Sequence, residues 1–313
     1  HVVYYTLLDK FAHGEIKKMI VQIPPQHGKS EGSSRKLPAF MLGLNPDTKI
    51  CIGSYAATIA RDFNRDVQRI IDTPKYREIF PKTFLSGSNV VTMANTYLRN
   101  SDVIEMVGHK GSLRVVGRGG ALTSKTVDVM IMDDVYKDYS EGNSPIVRNA
   151  AWKWYTTVVK KRLHNKSQEL IVFTRWHEED LIGKIEKGGE KIIDIKSWDS
   201  IKNIPDGAWV RINFEALKTG EPNEIDPREP GAALWESMHS RAKLERERAL
   251  DPIQFQCLDQ GNPGSAEGRL YRNPFRTYVD KSEWGTFVRS GNYTDVADEG
   301  DDFTFSACYD VYK

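Results

Sequence analysis

Apolar residues in the first two hundred positions fall into short continuous runs separated by stretches with helical spacing. The runs Met19–Ile23, Lys49–Tyr55 and Val127–Met132 have the length and apolar character of buried strands. Helical spacing after the second run is set by Ile59, Phe63, Val67 and Ile70, and Pro74 stops that pattern. Strands that alternate with helices in this way predict an α/β fold with a mostly parallel sheet flanked by helices.

The sequence predicts further helices and strands before, between and after these segments. Val2 to Phe11 predicts a helix that ends at Gly14, and the alternation between residues 89 and 116 predicts strands. Ser144-Pro145 predicts a helix start, because serine caps a helix well and proline fits its first position. The apolar face of that helix is predicted to be Trp152, Tyr155, Val159 and Leu163. The remaining predicted strands are Glu169–Phe173 and Lys191–Ser197.

The composition of the sequence changes near residue 200: prolines are frequent after this point, and few runs are typical of strands. One clear helix is predicted at His239–Leu250, and a Gly/Pro linker follows at Gly261–Gly268. Strand-like runs return from Phe287 onward. We therefore predict a first domain at 1–200, a small subdomain and linker at 201–268, and the start of another domain at 269–313.

The composition narrows the classes of partner and compartment. The 313 residues include 44 Lys and Arg against 43 Asp and Glu, so any contact with nucleic acid must come from a local patch. The denser basic stretches, Lys153–Arg162 and Arg241–Arg248, are more simply explained as solvated helix faces. Three cysteines without metal-ligand spacing argue against a zinc site and a disulfide framework, which fits a reducing compartment. No apolar run approaches the roughly 18 residues that span a membrane.

A phosphate-binding loop is predicted at Pro24–Ser30, between the first strand and a helix. A strand, a tight loop with Gly-Lys-Ser and a helix N-terminus attract phosphates through backbone N–H groups. Lys29 would reach the β- and γ-phosphates, and the Ser30 hydroxyl would ligate Mg²⁺. The general pattern asks for a glycine five residues before Gly28, where Ile23 stands, so the tripeptide alone also fits a surface turn.

Two carboxylates follow the apolar strand at 127–132 and favour a nucleotide site over a surface turn. Asp133 would hold Mg²⁺, and Asp134 would polarise the attacking water, which is worth roughly 10²–10⁴-fold. A capped turn at a strand end would explain this pair alone. The next strand ends in Thr174-Arg175, at the sheet edge where ligands of open α/β folds bind. Thr174 would sense the γ-phosphate or simply cap the helix near His177.

The run Pro-Pro-Gln-His-Gly-Lys-Ser at 24–30 resembles the phosphate loop of large terminase subunits from tailed bacteriophages, which replace the first glycine with a Pro-Pro lead-in. The likeness covers nearly the whole chain: it continues at 117–123, in the strand before Asp134, at 174–181 with its Arg-Trp-His block, and at 230–235. The resemblance implies a P-loop NTPase fold of the RecA-like (ASCE) type. It also implies a small lid subdomain and the start of an RNase H-like nuclease domain.

The resemblance implies roles for individual residues. The residues that would bind the nucleotide are Pro25, Gln26, His27, Gly28, Lys29 and Ser30, with ATP and Mg²⁺ as cofactors. Asp133 takes the Mg²⁺ role together with Ser30. Asp134 stands where many relatives carry a catalytic Glu, whose side chain is about one methylene longer. Thr174 falls in the motif that couples hydrolysis to movement.

Arg118 aligns with an arginine that some terminases insert into a neighbouring subunit's site. Such a finger is worth roughly 10³–10⁵ in turnover. The alternative is a flexible Gly-rich loop with an incidental charge, and Arg114 and Lys125 are rival candidates for the finger.

The nuclease domain of the family uses two divalent metals, Mg²⁺ or Mn²⁺, held by several carboxylates. Its first strand would be Tyr293–Ala297, with Asp295 as a metal ligand, and the alternative is a solvated acidic hairpin loop. One aspartate cannot build a two-metal site. We therefore expect nuclease activity from a full-length protein and none from this chain, which we expect to be cut at both ends.

The implied function is an ATP-hydrolysing motor that moves double-stranded viral DNA into a procapsid, at the portal vertex in the host cytoplasm. The implied partners are double-stranded DNA, the portal protein, the small terminase subunit and further copies of the chain in a ring, a pentamer, although the isolated chain could be monomeric. The alternatives are a helicase-like DNA ATPase and a nuclease subunit whose nucleotide site is regulatory or structural. Assays of ATP turnover with and without DNA would separate them.

Overall fold

Eight strands form one sheet in the computed structural model of the chain, which describes residues 1–87, 97–122, 126–264, 286–295 and 305–312. They are β1 (Lys18–Gln22), β2 (Lys49–Ser54), β3 (Val103–Glu105), β4 (Ser112–Gly117), β5 (Val127–Asp133), β6 (Leu163–Val172), β7 (Ile192–Asp194) and β8 (Trp209–Asn213). Their order is β3-β4-β2-β5-β6-β1-β8-β7, and only the β3–β4 pair is antiparallel. The predicted α/β fold with a mostly parallel sheet is therefore confirmed.

Helices that the sequence predicts, and shorter ones that it does not, accompany the sheet. They are α1 (Val2–Ala12), α2 (Leu37–Leu44), α3 (Ala57–Ile71), α4 (Pro74–Ile79), α5 (Tyr139–Asn143), α6 (Pro145–Trp154), α7 (Leu181–Lys187), α8 (Arg241–Leu250) and α9 (Pro252–Leu258). Pro74 ends the pattern of α3 but also starts α4 at its own first position. No helix in the described ranges has the length and apolar character needed to cross a membrane.

One predicted helix ends earlier than its apolar spacing indicates. Ser144 caps α6 as expected, because its hydroxyl accepts a hydrogen bond from a backbone N–H in the first turn. The helix then passes through a π-helical turn at Tyr155–Val159 and a 3₁₀ turn at Lys160–Arg162. Leu163 starts β6 instead of continuing the helix, because the chain turns there to pair with β5.

The core lies on both faces of the sheet. On β5, Val129 and Ile131 are fully buried in a cluster with α1, α2 and α3. Met130 and Met132 alternate with them and pack against α6 and α7 on the other face. Because both faces are covered, the central strands are continuous apolar runs, as is typical of parallel sheets.

The sheet extends beyond residue 200, where the first domain is predicted to end. β8 lies between β1 and β7 and pairs in parallel with β1, with Val210 opposite Met19. Trp209 is completely buried, and its indole N–H donates to Glu190 at 2.5 Å. The sequence pattern does not predict this strand, because it is short and includes Arg211.

Residues 215–264, which we call the lid segment, contain α8 and α9 around a small apolar core of their own. The core consists of Ala216, Leu217, Leu244 and Phe255. Two amide hydrogen bonds tie the segment to strand ends of the sheet, from Gln22 to the Gly261 carbonyl at 2.9 Å and from Asn213 to the Gln260 carbonyl at 2.8 Å. The helix predicted at His239–Leu250 is confirmed as α8.

Residues 266–313 form a separate compact unit, in which β9 (Phe287–Asp295) and β10 (Phe305–Tyr312) make an antiparallel pair. Asp295 is the last residue of β9 and lies opposite Phe305. Neighbouring Asp298, Asp301 and Asp302 lie outside the described residues. The interpretation of this pair as the start of a nuclease domain stays a prediction.

Candidate nucleotide-binding site

The predicted phosphate loop joins β1 to a helix that begins at Lys29 and runs to Leu44. Two of its residues have left-handed backbone conformations, Gln26 with φ of 59° and Gly28 with φ of 82°. Glycine adopts this conformation at little cost, whereas a non-glycine residue such as Gln26 is strained there. Strain of this kind persists at binding and catalytic sites, where the surrounding structure holds it in place.

The Lys29 side chain connects the ends of two neighbouring strands. Its Nζ lies 2.8 Å from Asp134 Oδ1, just beyond β5, and 2.6 Å from Thr174 Oγ1, just beyond β6. Lys29 itself follows β1, which lies next to β6 in the sheet. Three residues that are distant in the sequence therefore meet at the carboxyl ends of adjacent parallel strands. The alternative role of Thr174 as a helix cap does not fit, because Asp180 caps α7.

Asp133 lies fully buried beneath the loop. Its carboxylate accepts hydrogen bonds from the Ser30 hydroxyl at 3.0 Å and from the Ser34 hydroxyl. Burial, and then the neighbouring charge of Asp134, raise the pKa of Asp133 above its ordinary range, against the opposing effect of Lys29. A cation would stabilise the charged form of such a carboxylate.

The oxygen donors at this position fit Mg²⁺. Mg²⁺ prefers oxygen ligands and is usually held by one or two carboxylates together with phosphate oxygens. The Ser30 hydroxyl and the Asp133 carboxylate supply such donors side by side. No group of three or more His, Cys, Asp or Glu residues in the described part of the chain could hold a metal ion alone. A Mg²⁺ ion held by these two residues would take its remaining ligands from water and from phosphate oxygens.

Asp134 sits in a strained turn that is fixed from two sides. Its φ is 45°, in the left-handed region that non-glycine residues rarely adopt. Its N–H donates to the Val172 carbonyl at 3.1 Å, and its carbonyl accepts from the Tyr55 N–H at 2.8 Å. Because β2 and β6 hold the turn between them, the Asp134 carboxylate is directed at Lys29.

Three residues support the loop from behind through contacts that the sequence does not predict. The Tyr4 hydroxyl donates to the Lys29 carbonyl at 2.5 Å, and the Ser33 hydroxyl donates to the same carbonyl at 2.9 Å. Ser34 is the second hydroxyl on Asp133. Gly32 allows this packing, since a Cβ there would lie 2.6 Å from the Tyr4 ring. The only sequence signal is the run of small residues after the loop.

His27 connects the loop to the lid segment. Its Nδ1 donates to the Pro25 carbonyl at 2.8 Å, which orients the ring. The ring stacks on His239 at a centroid distance of 4.3 Å and lies edge-on to Trp235 at 6.3 Å. Burial lowers the pKa of His27 below its ordinary value, so the ring is neutral at pH 7.

Arg118 contacts the turn after β5 in its own chain. Its Nη1 donates to the Val135 carbonyl at 2.6 Å and to Glu141 Oε2 at 2.8 Å. Of the two rival candidates, Arg114 lies within β4, 3.7 Å from Glu105, and Lys125 lies outside the described residues. Arg118 is thus the candidate arginine that the structure brings next to the Asp134 turn.

Comparison with known proteins identifies the family. The model of the family described as "Terminase large subunit, T4likevirus-type, N-terminal" matches residues 20–272. A search of curated proteins by sequence finds no match.

Several solved structures match the chain over most of its length. The large terminase of bacteriophage HK97 is 13% identical with a TM-score of 0.49, over 83% of this chain and 50% of that chain. The large terminase ATPase domain of Thermus phage P74-26 is 16% identical with a TM-score of 0.48, over 80% of this chain and 89% of that chain. The Phi-28 gp11 DNA packaging motor is 12% identical with a TM-score of 0.41, over 96% of this chain and 78% of that chain.

The chain spans half the length of the HK97 protein. The family match covers the phosphate loop, Asp133 and Asp134 at the end of β5, Thr174 and the whole lid segment. Because that match extends over most of the sequence, the chain belongs to the large terminase subunits and contains their N-terminal domain.

Proposed function

We propose that this chain is the ATP-hydrolysing part of a motor that packages double-stranded DNA into a phage procapsid. The observation that carries the proposal is the meeting of Lys29 with Asp134 and Thr174, at 2.8 Å and 2.6 Å, beside the buried pair of Ser30 and Asp133. At one edge of the sheet, Lys29 would bind phosphate oxygens, Asp134 would orient the attacking water, and the Thr174 hydroxyl would detect whether the phosphate is present. Membership of the large terminase family supports the packaging role.

Each residue has a distinct role in this proposal. The loop from Pro25 to Ser30 would hold the phosphates of ATP. Lys29 would release the Asp134 carboxylate and bind the phosphate oxygens in its place. Mg²⁺, held by Ser30 and Asp133, would neutralise part of the phosphate charge when bound. Once released by Lys29, the Asp134 carboxylate could accept a hydrogen bond from the attacking water. Thr174 would lose its bond to Lys29 at the same moment and so report the occupied site to β6.

Membership of the large terminase family supports a proposal for the partners. We propose that the chain acts as part of a ring of copies, a pentamer, at the portal vertex of the procapsid in the host cytoplasm. Its partners there would be double-stranded DNA, the portal protein and the small terminase subunit. A longer protein would add the nuclease, with Asp295 in a two-metal site.

Replacing the lysine tests the hydrolysis. We expect Lys29→Ala to lower ATP turnover by on the order of 10²-fold or more, because the transition-state charge loses a direct partner. Lys36→Ala is the matched control, since this exposed lysine lies on the same helix and pairs with Glu31 at 3.4 Å. Steady-state phosphate release by both variants and the parent chain is the measurement. Equal turnover in parent and Lys29→Ala chains would refute the proposal.

A second measurement separates a motor from a protein whose nucleotide site only regulates another activity. We expect double-stranded DNA to raise ATP turnover by the parent chain, since a translocase couples hydrolysis to contact with its track. Single-stranded DNA of the same composition is the control. ATP binding without any turnover, with or without DNA, would favour the regulatory alternative.

A further inference from the structure

The Arg118 side chain is held inside its own subunit, at the turn that carries Asp134. Its guanidinium bonds the Val135 carbonyl at 2.6 Å and Glu141 at 2.8 Å, and it lies over the Tyr136 ring at 5.9 Å. Only 15% of the side chain is exposed. All three partners lie within the stretch from the end of β5 to α5, so these contacts hold the loop after Asp134 together.

The backbone of Arg118 is fixed to the same region. Its N–H donates to the Ser54 carbonyl at 2.7 Å, at the end of β2. Tyr55, which follows Ser54 in the chain, donates its N–H to the Asp134 carbonyl at 2.8 Å. Arg118 therefore bridges the end of β2 and the residue directly after Asp134. A planar guanidinium suits this task, because its donors have a fixed geometry.

Glu141 holds the arginine in this position. The carboxylate accepts from Arg118 and also from the Lys137 N–H at 2.9 Å. The Arg118 guanidinium keeps the pKa of Glu141 below its usual range, so the pair stays charged at neutral pH. Moving Arg118 into a neighbouring subunit would break this ion pair and leave the Val135 carbonyl without the guanidinium.

We propose that Arg118 is a positioning residue that acts within its own subunit, and that Glu141 is its counter-ion. By holding the Val135 carbonyl, Arg118 keeps the strained backbone of Asp134 in the conformation that directs the carboxylate at Lys29. This role rests on the proposed function as an ATPase. It differs from that of a finger supplied by a neighbour, because the arginine acts on the Asp134 turn of its own subunit.

Variants of Glu141 test the proposal without touching the arginine. We expect Glu141→Ala to lower kcat for ATP by about tenfold with a KM within about twofold, since the loss lies in positioning and not in nucleotide binding. Glu141→Gln keeps an acceptor oxygen and should recover most of the rate. Glu15→Ala is the matched control, because Glu15 pairs with Lys10 at 2.6 Å on the surface. Unchanged or faster turnover by Glu141→Ala would overturn the proposal.

A double variant tests whether Arg118 and Glu141 act together or whether each substitution simply damages the fold. If Arg118 and Glu141 act as one unit, Arg118→Ala with Glu141→Ala should be no slower than Arg118→Ala alone. Urea unfolding of each variant shows whether the fold is retained. Additive losses in kcat would contradict the proposed unit.

Mixing subunits distinguishes this role from a finger supplied by a neighbour. Arg118→Ala chains keep Lys29, and Lys29→Ala chains keep Arg118. We expect no recovery of turnover when the two are mixed at high concentration, because each active site needs its own arginine. Recovery in the mixture would overturn the proposal. A parent chain without any ATP turnover would refute the proposed function itself, which separates the two failures.

Discussion

The floor of the phosphate site and the lid segment are built in opposite ways. Below the site, β5 lies between β2 and β6 and is buried on both faces, by two separate apolar clusters. The lid segment has one small core, and its helix α8 buries only Leu244, while Leu250 is 88% exposed. Site residues on the sheet are therefore fixed by dense packing, whereas α8 and α9 rest on a small core, and we expect these two helices to unfold locally more readily.

Apolar and polar contacts join the two regions: Ile225 of the lid segment is buried in one of the apolar clusters on the sheet, and Leu234 packs against the same cluster. His27 of the phosphate loop stacks on His239 and lies near Trp235, and two amide hydrogen bonds join the strand ends to residues 260 and 261. The stacking of His27 on His239 is a ring contact that connects the phosphate loop itself to the lid segment.

The largest expected effect on global stability is at the sheet. Ile131→Ala removes a side chain that is fully buried on β5, and we expect a loss of about 2–5 kcal/mol in the free energy of unfolding. The cavity lies between packed layers that cannot close around it. Urea unfolding followed by far-UV circular dichroism is the measurement. A loss below about 1 kcal/mol would contradict the tight packing inferred for this region.

A smaller global effect is expected in the lid segment. Phe255→Ala removes the largest side chain from its core. We expect the segment to unfold locally, so the loss in global stability should stay well below that of Ile131→Ala. Hydrogen exchange should show faster exchange in α8 and α9 and unchanged protection in β5. If protection in β5 fell equally, the two regions would be one cooperative unit and the comparison would fail.

The sheet region was also the part that the sequence could predict. Continuous apolar runs gave β1, β2 and β5 within one residue of their observed starts, because a doubly covered strand needs such a run. The Gly-Lys-Ser loop indicated Lys29, and the carboxylate pair after the β5 run indicated Asp134. Thr174 was indicated because ligands bind where parallel strands end. The sequence pattern did not predict β8, because the position of β8 next to β1 depends on pairing with a strand almost two hundred residues away.

Contacts between side chains from distant segments could not be predicted. Nothing in the sequence indicates that Tyr4 bonds the Lys29 carbonyl or that His239 stacks on His27. The left-handed backbone of Asp134 is equally invisible, since aspartate has no strong preference for it. These features depend on how complete elements pack, and local patterns do not carry that information.

The smallest expected effect concerns the contact between the two regions and its dependence on pH. Burial, and then the nearby His239, Lys243 and Arg228, lower the pKa of His27, although the Pro25 carbonyl opposes them. The unfolded chain therefore takes up a proton that the folded chain resists, and this contribution to stability is lost as pH falls below about 6.5. We expect His27→Gln to remove that part of the pH dependence.

The test compares the free energy of unfolding at pH 7.5 and pH 5.5 in the parent chain and in His27→Gln. The parent should lose more on acidification, by no more than about 1.4 kcal/mol, because pH 5.5 lies about one unit below the ordinary histidine pKa. Asp259 has the opposite effect, since burial raises its pKa to about 6 and the folded chain then binds the proton more readily. Asp259 is present in both proteins, so its contribution cancels in the comparison. Equal losses in the two proteins would mean that His27 is not held neutral between the phosphate loop and the lid segment.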